Sequence, residues 1–78
     1  MNIIEAIKLK RFFKKIEMLQ KVKIANKKAF FENNADLQLH IKSKTYHFYY
    51  TNLKDFKHNI ITKLNDFRLI YLRDFDIN

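Results

Sequence analysis

The sequence predicts a small single-domain α+β protein, a two-layer sandwich in the order α-β-β-α-β, with a long basic N-terminal helix. Three observations carry that expectation. Apolar residues recur at helical spacing from residue 2 onward, alternate one by one over residues 36–50, and return to helical spacing over residues 52–66. A short run of large apolar residues follows at 67–73 and reads as a last strand.

Each element has its own signal. In the first, Leu9, Phe12, Phe13, Ile16 and Leu19 share one side of a helical wheel, and Lys10, Arg11, Lys14, Lys21 and Lys28 fall on the other. Asn2 is a helix cap with Glu5 three residues on, the spacing of a capping box. A helix continuous over 2–31 would be roughly 45 Å long at about 1.5 Å per residue. Its second half is ambiguous. Met18, Val22, Ala25 and Ala29 lie on a different face, and Met18, Gln20, Val22 and Ile24 alternate as a strand would. Residues 18–31 therefore stay open between helix and strand.

The hairpin follows from alternation. With a turn centred on Ser43-Lys44, Ile41 would pair with Tyr46, Leu39 with Phe48 and Leu37 with Tyr50, all on one face. Lys42 with Thr45, His40 with His47, and Gln38 with Tyr49 would share the other. The next helix buries Leu53, Phe56, Ile60, Ile61 and Leu64, with Thr51 or Asn52 as its cap. The chain then divides into a basic helical arm over 1–32 and a hairpin-helix-strand unit over 36–78.

Composition narrows the chemistry. There is no Cys among the 78 residues, so neither a disulfide nor a Cys-based zinc site can staple so small a core. There is no Gly, which excludes every glycine loop that cradles a phosphate. There is no Pro either, so turns fall to Asn, Asp, Lys and Ser, and Asn33-Asn34 is the clearest turn signal. Phe, Ile, Lys, Asn and Tyr supply 43 of the residues, and all have codons built mainly from A and T. An AT-rich genome is implied: a phage or mobile element of a low-GC bacterium, an organelle, or an AT-rich protist. Such bias explains thirteen Lys against three Arg. It does not explain where the Lys residues fall.

Their placement is uneven. Nine of the sixteen bases lie in the first thirty residues against only Glu5 and Glu17, a charge of +7 out of the total of +8. A one-sided field of this kind predicts a polyanionic partner. Lys10, Arg11, Lys14, Lys21 and Lys28 are the candidate phosphate contacts, with Lys15 and Lys23 as auxiliaries. Tyr49 and Tyr71 are candidates for stacking on bases beside Lys42 or Arg73, although sheet packing accounts for most aromatics of this kind.

Other constellations are weaker. His40 and His47, directly opposed, would supply two metal ligands without a third. Asp74 and Asp76 on an extended tail fit a solvated terminus as well as a cation. Ser43 is the only Ser, it sits in a turn, and no base is spaced to activate it. Phe12-Phe13 beside Lys14-Lys15 raises a membrane-surface alternative, but the same pattern is that of a core-facing helix. No apolar run is long enough to span a bilayer, and Ile3-Ile4-Glu5-Ala6-Ile7 is too short for a secretory signal.

The expected function is that of a small basic non-catalytic nucleic-acid-binding protein. It would be intracellular, in a bacterial cytoplasm or organelle matrix, acting alone, as a homo-oligomer, or as a subunit of a ribonucleoprotein. Its partner would be RNA or DNA, with no cofactor and no metal. One alternative is a phage or mobile-element protein that binds and inhibits a host protein, its basic face meeting an acidic surface; another is a small nuclease, for which the sequence names no acid–base pair.

Overall fold

The first helix begins where the sequence places its cap. In a computed structural model, which describes residues 1–19 and 22–67, Asn2 Oδ1 accepts from the Glu5 N–H at 2.8 Å, and the Asn2 N–H donates to Glu5 Oε1 at 2.9 Å. This reciprocal pair satisfies donors that a helix start leaves open. Helix α1 runs Ile3–Leu19 and buries Leu9, Phe12, Phe13 and Ile16. Phe12 and Phe13 thus face the core.

The basic arm is not one helix. After α1 come a three-residue strand, β1 (Lys23–Ala25), and a short helix, α2 (Lys27–Asn33). The physical reason lies in the side chains. A continuous helix would carry Val22 to the solvent side near Met18, whereas a strand lets Val22 and Ile24 both be buried. The reversal into α2 needs a left-handed residue, and Asn26 supplies it at φ 66°. Its side-chain amide donates to the Asp36 carbonyl oxygen at 2.8 Å, tying the turn to the next strand. Asn34, at φ 55°, ends α2 in the same conformation, so the Asn33-Asn34 turn signal falls at a helix end.

Strand β2 (Leu37–Ile41) buries Leu37, Leu39 and Ile41 and forms the hairpin with β3 (Lys44–Phe48). The expected faces hold but the register does not. Leu37 pairs with Phe48, Leu39 with Tyr46 and Ile41 with Lys44, a slip of two residues. A slip of two keeps parity, so Tyr46, Phe48 and Tyr50 still pack against the core. The turn is Lys42-Ser43, both at positive φ (49° and 68°), the pattern of a two-residue type I′ turn without its usual Asn or Gly.

Helix α3 (Leu53–Asp66) is capped by Asn52, whose side chain accepts from the Asp55 N–H at 2.9 Å. It buries Phe56, Ile60, Ile61 and Leu64. The three strands form one antiparallel sheet in the order β1-β2-β3, and residues from all three helices meet its apolar face in one core cluster. Within that core the Phe30 and Phe56 rings stack at 5.1 Å, and Phe13 meets both edge-on. The described order is α-β-α-β-β-α, in place of the expected single arm helix before the hairpin. The strand expected over 67–73 lies, beyond Phe67, outside the described residues, as do Lys21, Tyr71, Arg73, Asp74 and Asp76.

Candidate nucleic-acid interface

The two acids of the first thirty residues are both engaged. Glu5 caps α1 and accepts from the Tyr50 hydroxyl at 2.8 Å. The backbone hydrogen bond at Asn2, then the Tyr50 hydroxyl, hold its carboxyl below the ordinary range. Burial, and then the Glu5 hydrogen bond, push the Tyr50 phenol up to about 12. Glu17 pairs with Lys27 at 2.8 Å.

The candidate bases divide among three elements. Lys10, Arg11, Lys14 and Lys15 are exposed on α1, Lys23 is exposed on β1 and Lys28 is exposed on α2. The structure brings some of them together. Lys10 and Lys14 of α1 and Lys27 of α2 line a cleft of about 250 Å³, with Phe13, Phe31 and Glu17 completing it. The Lys10 ammonium stands 5.2 Å from the centre of the Phe31 ring, a cation–π contact that holds the base at the cleft. Lys28 follows Lys27 in the first turn of α2. Arg11, Lys14 and Lys15 border a second, shallower hollow with Met18.

Lys23 belongs elsewhere. It alternates with buried Ile24, so it faces the side of the sheet away from the helices, opposite His40 in the ladder. Lys27 was missing from the expected set. Its signal was only that it adjoins Lys28; the fold-back at Asn26 is what carries it to α1.

The opposed histidine pair is corrected by the register. His40 faces Thr45 and His47 faces Gln38. His40 Nδ1 lies 2.7 Å from Thr45 Oγ1, and His47 Nδ1 lies 2.5 Å from Asp36 Oδ2. The His47 contact is the main reason that the Asp36 carboxyl sits below its ordinary value. Among the described residues no three His, Asp or Glu side chains are grouped to hold a metal ion. Tyr49 is exposed just past the end of β3. None of the described helices is long and apolar enough to cross a membrane.

Comparison of the chain with protein-family models, curated proteins and solved structures gives no match.

Proposed function

We propose that this chain is a non-catalytic nucleic-acid-binding protein that grips the phosphate backbone of RNA or DNA at the junction of α1 and α2. The observation that carries the proposal is the cleft where Lys10, Lys14 and Lys27 converge from two helices. Arg11, Lys15 and Lys28 extend the positive surface on either side, all exposed. Glu17 is the one acid lining the cleft, and its ion pair with Lys27 holds that Lys at the rim. Ammonium groups on flexible stems suit a sequence-independent phosphate track, since each neutralised phosphate releases condensed counterions. Base recognition would need contacts to base edges, for which the exposed Tyr49 offers a stacking face only.

Fluorescence anisotropy with single- and double-stranded RNA and DNA oligonucleotides tests the proposal. Three phosphate contacts, one for each Lys of the cleft, should lower affinity about fortyfold between about 50 and about 200 mM salt, and contacts from the flanking bases should steepen the fall. An affinity that ignores salt, or no binding at the lower salt, would remove the phosphate track.

A further inference from the structure

Helix α1 carries an apolar stripe that the core does not use. Leu9, Phe12, Phe13 and Ile16 point inward. On the opposite side, Ile4, Ile7 and Met18 stand 62%, 45% and 73% exposed, with Ile3 and Met1 also open at the helix start. Of the exposed large hydrophobics among the described residues, Tyr49 is the other, so the outer side of α1 holds nearly all of them. An exposed apolar patch rimmed by charge marks an interaction surface more often than chance exposure does.

The spacing is informative. Residues 4, 7, 11, 14 and 18 alternate steps of three and four, the repeat of a helix-packing seam. Arg11, Lys14, Lys15 and Met18 are the described residues that line a hollow of about 360 Å³. Their spacing (i, i+3, i+4, i+7) is that of the four residues that receive one knob from a facing helix. Ile4, Ile7, Lys8 and Arg11 repeat the same spacing one seven-residue period earlier. Two successive holes therefore lie along α1, apolar at both ends and basic in the middle.

That order selects the occupant. A second copy of the chain would set Arg11 and Lys14 against the same bases, whichever way the helices ran. A bilayer takes apolar residues at the centre of a helix face and bases at its flanks; here Arg11 lies between Ile7 and Met18 and would enter hydrocarbon. A phosphate backbone would leave Ile4, Ile7 and Met18 bare. A facing helix with acids at its middle and apolar residues at either end matches all of them.

We infer that the outer face of α1 is a docking seam for an acidic amphipathic helix of a partner protein. The seam shares Arg11, Lys14 and Lys15 with the positive surface, but its apolar residues, Ile4, Ile7 and Met18, lie outside the cleft of Lys10 and Lys27. The inference therefore does not depend on nucleic-acid binding.

The test uses the full chain and a synthetic three-heptad helical peptide. Its seam positions are Leu in the outer heptads and Glu in the central one, and a scrambled peptide of the same composition is the control. The designed peptide should bind about tenfold or more tightly than the scrambled one. The combined change Ile4→Gln, Ile7→Gln and Met18→Gln alters no charge and no buried residue. It should lower peptide affinity by about tenfold or more, with circular dichroism and oligonucleotide binding unchanged. Arg11→Gln should weaken the peptide in the same direction. Equal binding of designed and scrambled peptides, or a Gln variant that binds as the parent does, would overturn the seam. So would anionic phosphatidylglycerol vesicles, or self-association in sedimentation, responding to the Gln variant while the peptide does not.

Discussion

Four residues that are not Gly hold positive φ in this chain: Asn26, Asn34, Lys42 and Ser43. The two Asn tolerate that conformation, whereas Lys and Ser carry the steric cost of a Cβ there. Replacing Ser43 with Gly should remove that cost at the hairpin turn. Urea denaturation should show a gain of about 1 kcal/mol, less whatever the freer unfolded chain takes back. Lys42 is a poorer target, because its ammonium lies 5.7 Å from the centre of the Phe67 ring. Tyr50 makes a second prediction. Its folded-state pKa, about 12, lies above the ordinary 10.0, so the folded chain holds this proton more tightly. Its contribution to stability is complete below about pH 10 and is lost as pH rises through about 12. Glu5 and Asp36 run the other way. Both are held below their ordinary values, so their contributions are present above the carboxylate range and fade as pH falls through the lowered pKa values. Thermal midpoints against pH should therefore drop at both ends, and Tyr50→Phe should flatten the alkaline drop between about pH 10 and 12 relative to the parent.

At the scale of elements, what was legible in the sequence follows burial pattern. Helix α1 up to Leu19, the two faces of the hairpin and helix α3 each bury a regular apolar stripe, and each was readable from spacing alone. Strand β1 was readable only as one of two alternatives, from the alternation of Val22 and Ile24, and helix α2 was not readable. A three-residue strand shows only one full alternation, and the seven residues of α2 are too few to display a helical period. Both exist because β2 offers β1 an open ladder edge and because Phe30 reaches the Phe13 and Phe56 rings. The register was missed for a related reason. Without Asn-Gly or Asp-Gly the turn has no local marker, and alternation is blind to a slip of two. Asn26 is the hinge of this region, since it provides both the left-handed turn and the hydrogen bond to Asp36. Asn26→Gly should keep the turn and lose the hydrogen bond, while Asn26→Ala should lose both. Urea denaturation should rank Ala below Gly by about 1 kcal/mol. A chain in which the Ala variant is the more stable would remove Asn26 from that role.

At the scale of the whole molecule, charge placement was the part of the site that the sequence displayed. The excess of +7 in the first thirty residues is visible without any fold. Which bases act together was not visible. A single helix over 2–31 would set Lys28 about 27 Å beyond Lys10 at about 1.5 Å per residue, whereas the reversal at Asn26 brings α2 back to α1. The same fold-back separates Lys23, which faces the other side of the sheet. The outer stripe of Ile4, Ile7 and Met18 was present on the helical wheel opposite the core positions, and its meaning depended on knowing that no part of the core covers it. Net charge alone gives some affinity for any polyanion, so the position of the bases is what distinguishes the cleft.

Two double variants separate position from charge. Lys10→Glu with Lys14→Glu reverses the cleft; Lys23→Glu with Lys54→Glu changes net charge equally at exposed positions outside it. The measurement is oligonucleotide affinity as a function of salt for both variants and the parent. The cleft variant should lose most of the affinity and lower the salt slope by about 2, while the control should stay close to the parent in slope. Equal losses in the two variants would mean that net charge, and not the α1–α2 cleft, holds the nucleic acid.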